Sequence, residues 1–243
     1  MMTLDGIIMF TDYDEFVYHE MIAHPAMCLL GDAERVLVVG GGDGGAIREV
    51  LRHAGVRAVH LVEIDSAVIE ATRQFFPAIS AGFADPRLTV HVRDGIEFAR
   101  EAADGSYDVV LVDPIDPRSF GLGLFETSFY QDCARILKPR GVFVTLSESP
   151  FDPTFRHVVR EVRRELRAIF PVVETYLAYI PTYQTGMWSF AIASKALHPV
   201  RDYDARRAAE LIRPFEAQLQ YYNPDMHVAS FALPNFVRRL VEG

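Results

Sequence analysis

Apolar runs alternate along the chain with stretches of helical hydrophobic spacing, and this alternation constrains the fold more than any other feature. Five runs are apolar almost throughout and rich in β-branched residues; they cover residues 35–40, 58–64, 87–92, 107–113 and 141–147. Such runs are typical of strands in a parallel sheet covered on both faces. Helices are predicted between and after them, over residues 46–55, 66–76, 95–103, 128–141 and 153–170.

These elements predict an α/β fold, a Rossmann-like, doubly wound, mostly parallel sheet. Two added strands are expected near residues 171–180 and 187–194, and the final segment, 203–243, has helical spacing at both ends. A chain of 243 residues, half of them apolar, can bury one core of this size. We expect an N-terminal strand and helix segment over residues 1–30 and one Rossmann-like domain over residues 31–243.

A glycine-rich turn, VVGGGDGGAIREV, follows the first run over residues 38–50. Gly40, Gly42 and Gly45 have the G-x-G-x-x-G spacing, which sets a ligand against a strand end and the first turn of a helix. Asp43 lies inside this turn, where its carboxylate would repel the pyrophosphate of a dinucleotide. The turn therefore favours a ligand that carries a positive charge at this point.

Acidic residues follow three other strands of the predicted sheet. Glu63 ends the second strand, Asp94 follows the third, and Asp113 follows the fourth. A lone Asp before a helix is often only its N-cap. Because the carboxyl ends of parallel strands share the ligand-binding edge, four carboxylates in register favour a nucleoside site, with Glu63 on the ribose and Asp94 on adenine. With Asp43 facing a cation, the pattern describes a sulfonium nucleoside that carries an amine.

Composition argues against several classes of partner. The formal net charge of -9 disfavours nucleic acid and suits a cationic ligand, although an acidic balance also simply promotes solubility. Cys28 and Cys133 have no paired spacing for zinc or redox chemistry, so we expect no metal site and a reducing, cytoplasmic location. No apolar run approaches the ~18 residues of a membrane span, and we expect neither a membrane association nor a signal peptide.

Seven stretches together resemble the polyamine aminopropyltransferases, the family that includes the spermidine synthases. They are LDGIIMFTDYDEFVYHEMIAH, VVGGGDGGAIREV, LVEID, RDGIEF, LVDPIDP, IPTYQTGMWSF and YYNPDMHVASFALPNF. The resemblance implies a fold of the S-adenosylmethionine-dependent transferase type and transfer of an aminopropyl group from decarboxylated S-adenosylmethionine to a primary amine, with release of 5'-methylthioadenosine. The donor is then a co-substrate, no cofactor is tightly bound, and putrescine is the first expected acceptor, giving spermidine.

The resemblance also implies roles for matching residues. Asp113 matches the catalytic base, and Tyr18 matches a tyrosine beside the reacting nitrogen. Matches on the donor side are His19, Gly40, Gly42, Asp43, Glu63, Ile64, Asp94 and Gly95. Matches on the acceptor side are Asp116, Glu148, Tyr183, Trp188 and Pro234. The stretch RSFGLGLF over residues 118–125 is expected to be a mobile loop with hinges at Gly121 and Gly123.

The sequence departs from the family pattern at its start and near the acceptor. Relatives usually carry a β-rich domain ahead of the LDG stretch, so we expect weaker donor binding or cover by another chain. YQTG stands where YPSG is more usual, which leaves cadaverine, agmatine and spermidine open as acceptors. The apolar stretch GIIMF over residues 6–10 predicts an exposed edge strand, and hence a homodimer with residues 4–12 at or near the contact.

Three other functions share part of this pattern. An S-adenosylmethionine-dependent methyltransferase shares the fold and the role of Glu63, and a nucleotide-binding oxidoreductase shares the glycine spacing. Asp43 counts against both. A non-catalytic protein that binds polyamines or nucleosides is the third alternative.

Overall fold

The computed structural model describes residues 1–114 and 122–242. Within these residues the strands are β1 (Met2–Leu4), β2 (Ile7–Phe10), β3 (Arg35–Gly40), β4 (Ala58–Glu63), β5 (Leu88–Val92), β6 (Tyr107–Asp113), β7 (Leu137–Leu146), β8 (Val172–Tyr179) and β9 (Met187–Ser194). The helices are α1 (Glu15–Leu30), α2 (Gly45–Leu51), α3 (Ser66–Phe75), α4 (Gly95–Glu101), α5 (Thr127–Ile136), α6 (Arg156–Arg167), α7 (Ala205–Ile212), α8 (Pro224–Ser230) and α9 (Asn235–Glu242).

Seven of the described strands form one sheet in the order β5-β4-β3-β6-β7-β9-β8, while β1 and β2 pair separately. The five strands from β5 to β7 in this order are parallel, and β9 runs antiparallel to both β7 and β8. The chain winds outward in both directions from β3, so the crevice between the ends of β3 and β6 is the ligand-binding point of such a sheet. The predicted fold class, with its added strand pair, is confirmed.

Helices cover both faces of the sheet, as its apolar strands require. Side chains alternate across β3: Val36 and Val38 lie in a buried cluster with residues of α1 and α2, whereas Leu37 and Val39 lie in a second cluster with residues of α5. Both clusters are continuous across several strands, so the site at the strand ends rests on a packed support.

The prediction was wrong for residues 137–141, which were expected to end a helix. α5 ends at Ile136, and β7 begins at Leu137, which pairs with Tyr107 of β6 and is 1% exposed. Pro139 lies in the exposed first part of β7, where its missing N–H is tolerated. Strand β7 therefore begins at the buried Leu137, so that Pro139 and Gly141, which were interpreted as a helix end, lie inside the strand.

α1 is a buried helix that connects the N-terminal hairpin to the main sheet. Its Glu20 accepts hydrogen bonds from the backbone N–H groups of Gln220, Tyr221 and Tyr222 at 2.9, 2.9 and 2.7 Å. These bonds anchor the C-terminal segment on α1. The proposed division into residues 1–30 and 31–243 stays a prediction.

Cys28 and Cys133 are both buried and unpaired. The cytoplasmic location expected from the cysteine usage stays a prediction. None of the helices in residues 1–114 and 122–242 combines the length and apolar character that a membrane span needs.

Candidate active site

The glycine-rich turn lies where β3 and β6 end side by side. Gly40 pairs in register with Asp113, and both Gly40 and Gly41 have positive φ, 76° and 69°. A Cβ on Gly41 would lie 2.9 Å from Asp113 Oδ2, and one on Gly42 would lie 2.8 Å from Glu63 Oε2. Both separations are shorter than real Cβ contacts. Glycine is needed here because two carboxylates pack directly against the backbone of the turn.

A cavity of about 350 Å³ opens at this edge of the sheet. Its wall holds nine residues that the sequence predicted for the site: Tyr18, His19, Gly42, Asp43, Glu63, Asp113, Glu148, Tyr183 and Trp188. Asp152 adds a fifth carboxylate, and among the described lining residues none is Lys or Arg. The cavity therefore suits a ligand with more than one positive charge. Residues 1–114 and 122–242 contain no group of three or more His, Cys, Asp or Glu side chains that could hold a metal ion.

Asp113 has the surroundings of a group that exchanges protons. Its Oδ1 accepts a hydrogen bond from the Tyr18 hydroxyl at 2.5 Å, while its Oδ2 is buried with no partner among the described residues. Burial, reinforced by the charge of Asp43 and opposed by Tyr18 and His19, raises the pKa of the Asp113 carboxyl to about 7. Burial and the nearby Asp113 also raise the pKa of Tyr18 well above its usual range, so its hydroxyl stays a donor.

Asp43 has the surroundings of a permanent charge. Its Oδ1 accepts a hydrogen bond from the Gly45 N–H at 2.7 Å and lies 3.2 Å from His19 Nε2. Burial opposes ionisation of Asp43, but His19 and the Gly45 N–H outweigh it and lower the pKa of the carboxyl. Burial likewise opposes protonation of His19, yet Asp43 and Glu15 raise the pKa of its imidazole to about 10.

Glu63 is held in one orientation by the backbone. Its Oε2 accepts from the Gly42 N–H at 3.1 Å, and its Oε1 accepts from the Asp65 N–H at 2.9 Å. Burial raises the pKa of Glu63, although these N–H groups oppose the shift. A carboxylate fixed in this way at the end of the second parallel strand suits the two hydroxyls of a ribose.

Glu148 and two aromatic rings form another wall of the cavity. Glu148 has a left-handed φ of 74°, which is uncommon for a residue with a side chain, and its carbonyl accepts from the Ser189 N–H at 3.0 Å and hydroxyl at 2.6 Å. Tyr183 and Trp188 pack edge to face with ring centroids 5.0 Å apart. The Tyr183 hydroxyl donates to the Met9 carbonyl at 2.5 Å, which ties this wall to the N-terminal hairpin.

The family model described as the spermine/spermidine synthase domain matches residues 15–204. The chain belongs to the spermine/spermidine synthase family. A polyamine aminopropyltransferase of Thermotoga maritima is 44% identical over 239 residues, 97% of this chain and 78% of the relative. One of Alkaliphilus metalliredigens is 40% identical over 242 residues, 100% of this chain and 84% of the relative.

A crystal structure of spermidine synthase in complex with the transition-state analogue AdoDATO has a TM-score of 0.93 and 42% identity to this chain, over 99% of this chain and 80% of that one. These likenesses make the chain an aminopropyltransferase of polyamine biosynthesis. They also confirm that its sheet is of the S-adenosylmethionine-dependent transferase type.

Ile64 and Asp94, both predicted for the donor side of this aminopropyltransferase, lie outside the cavity wall. Ile64 directly follows β4 and is 55% exposed. Asp94 caps α4: its Oδ1 accepts from the N–H groups of Ile96 at 2.7 Å and Glu97 at 3.3 Å. Asp94 is therefore the N-cap of α4, the structural role expected for a lone Asp before a helix.

Three other predicted residues also lie outside the cavity wall. Gly40 is the last residue of β3, Gly95 is the first residue of α4, and Pro234 immediately precedes α9. Asp116 lies outside the described residues. Of the expected mobile loop, residues 118–121 are also outside them, and Leu122–Phe125 form a short 3-10 helix.

The sequence analysis did not assign Glu15 or Arg48 to the site. Neither residue lines the cavity, but Glu15 contacts His19, which does, and Arg48 contacts Glu15. The Arg48 guanidinium donates to both oxygens of Glu15, each at 2.9 Å, and Glu15 Oε2 lies 2.5 Å from His19 Nδ1. Glu15 precedes His19 by four residues on α1, and this spacing was a usable signal. Arg48 belongs to another helix, so no local spacing could have linked it to Glu15.

Proposed function

We propose that this aminopropyltransferase moves the aminopropyl group of decarboxylated S-adenosylmethionine to putrescine, giving spermidine and releasing 5'-methylthioadenosine. The observation that carries the proposal is the pair of unlike carboxyl groups in one cavity, an ionised Asp43 and an Asp113 with a pKa of about 7. A sulfonium donor with an ammonium group and a diamine acceptor both need negative charge, and one of them must also lose a proton.

On the donor side, we assign Glu63 to the ribose hydroxyls and Asp43 to the aminopropyl ammonium. Gly45 and His19 both contact Asp43 Oδ1, so Oδ2 is the oxygen proposed for the ammonium. The same charge repels the carboxylate that S-adenosylmethionine keeps, so that selection of the donor is partly repulsive. The remaining proposed donor contacts are Gly40, Gly42, Ile64, Asp94 and Gly95.

Asp113 is proposed to take one proton from the acceptor ammonium. The free amine then attacks the carbon bonded to sulfur: a C–N bond forms, the C–S bond breaks, and sulfur keeps the bonding pair and leaves as a neutral thioether. For the two groups apart, moving a proton from an ammonium with a pKa of ~10 to a carboxylate with a pKa of about 7 costs about 4 kcal/mol. Contact between the two ions raises this cost, because each charge stabilises the other. An Asp with an ordinary pKa would require about 8 kcal/mol. Tyr18 binds Oδ1, which leaves Oδ2 for the proton.

On the acceptor side, the faces of Tyr183 and Trp188 are proposed to hold the alkyl chain by apolar contact and cation–π attraction. Glu148 is proposed for the distal ammonium, and its constrained backbone supports a fixed position for that charge. Asp116 is proposed to orient the incoming amine, and Pro234 to limit the length of the acceptor.

The direct test is to incubate the protein with decarboxylated S-adenosylmethionine and, separately, putrescine, cadaverine, agmatine or spermidine, and to measure 5'-methylthioadenosine and product. We expect the highest kcat/KM for putrescine. A higher kcat/KM for another amine would make that amine the acceptor in place of putrescine. Gln184, which lines the cavity, would then be the first residue to substitute. Absence of 5'-methylthioadenosine with every one of these amines would contradict the proposed donor and acceptors.

We also propose a homodimer with residues 4–12 at or near the contact. β1 and β2 pair only with each other among the described strands, and Ile7 and Ile8 are 37% and 36% exposed. Exposed apolar edge strands tend to recruit a partner. Sedimentation at micromolar concentration tests the state: an active monomer contradicts the proposal, and a tetramer would require a further contact surface.

A further inference from the structure

His19 lies between two carboxylates in a buried place. Its Nδ1 is 2.5 Å from Glu15 Oε2, its Nε2 is 3.2 Å from Asp43 Oδ1, and its side chain is 2% exposed. A neutral imidazole has one donor nitrogen and one acceptor nitrogen, so it would turn a lone pair toward one of these oxygens. Because each ring nitrogen faces a carboxylate oxygen, the arrangement suits an imidazolium with a proton on both nitrogens.

Glu15 is held in place by Arg48 of α2. Two guanidinium nitrogens of Arg48 donate to the two oxygens of Glu15 at 2.9 Å each, the bidentate geometry that fixes a carboxylate plane. Arg48 Nε also donates to Glu49 Oε1 at 2.7 Å, so the guanidinium is anchored on its other side. Neither Glu15 nor Arg48 lines the cavity. Glu15 therefore makes no direct contact with a ligand in the cavity, and the residue that it contacts in the cavity wall is His19.

The His19 ring packs against Gly45 of the glycine-rich turn, where the absence of a side chain leaves room for it. A Cβ on Gly45 would overlap atoms of the ring. The Gly45 N–H and His19 Nε2 both contact Asp43 Oδ1. Two donors on one oxygen set the rotation of the Asp43 carboxylate, with Oδ2 as its second oxygen for a ligand.

We propose that Glu15, fixed by Arg48, is a positioning residue that keeps His19 doubly protonated and thereby orients Asp43 toward the ammonium of the donor. The identity of that ligand rests on the function proposed above. Without the Glu15 charge, the His19 ring loses a proton at lower pH, and a lone pair then faces one of its two neighbours. The Asp43 carboxylate loses its fixed orientation, and recognition of the ammonium weakens as pH rises.

No other titratable group near His19 supplies the negative charge that keeps its imidazole protonated. Tyr18, its neighbour on α1, packs edge to face at a centroid distance of 5.5 Å and keeps its proton. Asp113 on β6 is closer to neutrality and is paired with Tyr18. Glu15 and Asp43 are thus the two anions in contact with the His19 ring.

The test is the variant Glu15→Gln, which keeps the size and one acceptor oxygen but removes the charge. We expect its affinity for decarboxylated S-adenosylmethionine to fall about tenfold at pH 8.5 and less than threefold at pH 6.5, by calorimetry. Affinity for 5'-methylthioadenosine, which lacks the ammonium, should stay within twofold at both pH values. As a matched control, Glu34→Gln breaks an exposed ion pair with Arg57 (3.1 Å) and should change neither affinity.

A second readout needs no donor and therefore separates this proposal from the proposed function. Nitrogen NMR of labelled histidine should show both His19 nitrogens protonated up to about pH 9 in the parent chain, and titration to the neutral ring between pH 6.5 and 9 in Glu15→Gln. If the parent chain binds no decarboxylated S-adenosylmethionine while this titration shifts, the proposed function fails, and what stands is the control of His19 protonation by Glu15.

The proposal is overturned by an unchanged His19 titration, by unchanged donor affinity, or by equal weakening of both ligands at both pH values. If Glu15→Gln does not fold, as judged by thermal melting, Arg48→Lys provides the same test. It keeps a positive charge but loses the bidentate contact with Glu15. A smaller donor-specific loss that also grows with pH is expected, and a pH-independent loss contradicts the proposal.

Discussion

Asp43 and Asp113 line one cavity at the same edge of the sheet, yet their neighbours give them opposite properties. Asp43 contacts an imidazolium and a backbone N–H and is ionised. Asp113 is buried near the charge of Asp43, and both raise its pKa to about 7, although the Tyr18 hydroxyl on its Oδ1 opposes the shift. His19 of α1 contacts Asp43 directly, whereas Asp113 receives only the neutral Tyr18 hydroxyl from the same helix. The imidazolium therefore fixes the charge of Asp43, while burial keeps Asp113 near the point of proton exchange.

Replacing Asp113 should have the largest effect. In Asp113→Asn we expect kcat to fall by about 100-fold or more, because the proton acceptor of the amine is lost. Donor affinity should stay within about threefold. Steady-state release of 5'-methylthioadenosine and donor titration measure the two quantities. The control Asp104→Asn removes a carboxylate that is 79% exposed and should leave kcat unchanged. Near-normal turnover in Asp113→Asn would remove this residue from the mechanism.

Replacing Asp43 should act on binding and discriminate between two ligands. In Asp43→Asn we expect affinity for decarboxylated S-adenosylmethionine to fall about 30-fold, since a charge-assisted hydrogen bond to the ammonium contributes about 2 kcal/mol. Affinity for 5'-methylthioadenosine should fall less than threefold. Calorimetric titration with both ligands measures the ratio. Equal losses would make Asp43 a structural residue of the turn and end the contrast with Asp113.

The pKa of Asp113 also predicts a pH-dependent effect on stability. Its folded-state pKa of about 7 lies above the ordinary 3.8, so its contribution to stability is complete below pH 3.8 and is lost as pH rises through about 7. Asn has no charge to bury. We therefore expect Asp113→Asn to be more stable than the parent chain by about 1–3 kcal/mol at pH 8, with a smaller difference at pH 5. Urea unfolding at the two pH values tests this; a difference that grows toward pH 5 would contradict it.

Replacing Asp94 should have the smallest effect, and it should weaken both ligands equally rather than the donor alone. Asn caps helices as well as Asp does, so Asp94→Asn should change the free energy of unfolding by less than about 0.5 kcal/mol. If Asp94 contacts adenine as proposed, decarboxylated S-adenosylmethionine and 5'-methylthioadenosine should weaken together, by about threefold, since both contain that base. Urea unfolding and paired ligand titrations give the two values. A loss confined to the donor would place Asp94 beside Asp43 in function.

The edge of the sheet at which the site lies could be predicted from the sequence. Parallel strands end at one edge, and the glycine-rich turn after the first predicted strand marks that edge as the ligand-binding one. These rules brought together Asp43, Glu63 and Asp113, all of which line the cavity. Local spacing also marked the main strands and helices, but it missed β1 and α8, carried α2 beyond Leu51 and placed residues 137–141 in a helix.

The contacts that give the acids their properties could not be predicted in this way. Tyr18 and Asp113 are 95 residues apart, and the contact between Arg48 and Glu15 joins two helices. Such pairs depend on how α1 rotates against the sheet, and that rotation follows from packing over the whole core. The roles of Tyr183 and Trp188 came from family resemblance, since a single aromatic residue in a sequence is more often part of the core.

The many attachments of α1 have a consequence for protein engineering. Asp14, at its N-terminal end, binds the Thr182 N–H at 2.7 Å, and Glu20 binds the segment at 220–222. A chimera of two relatives joined at residue 30 would combine an α1 from one parent with turns, strands and a C-terminal segment from the other. Each of these contacts would then join a residue of one parent to a residue of the other, and the two would have to be compatible. A junction ahead of Asp14 keeps them in one parent, so the smallest unit that can be exchanged as a working catalyst begins before this helix.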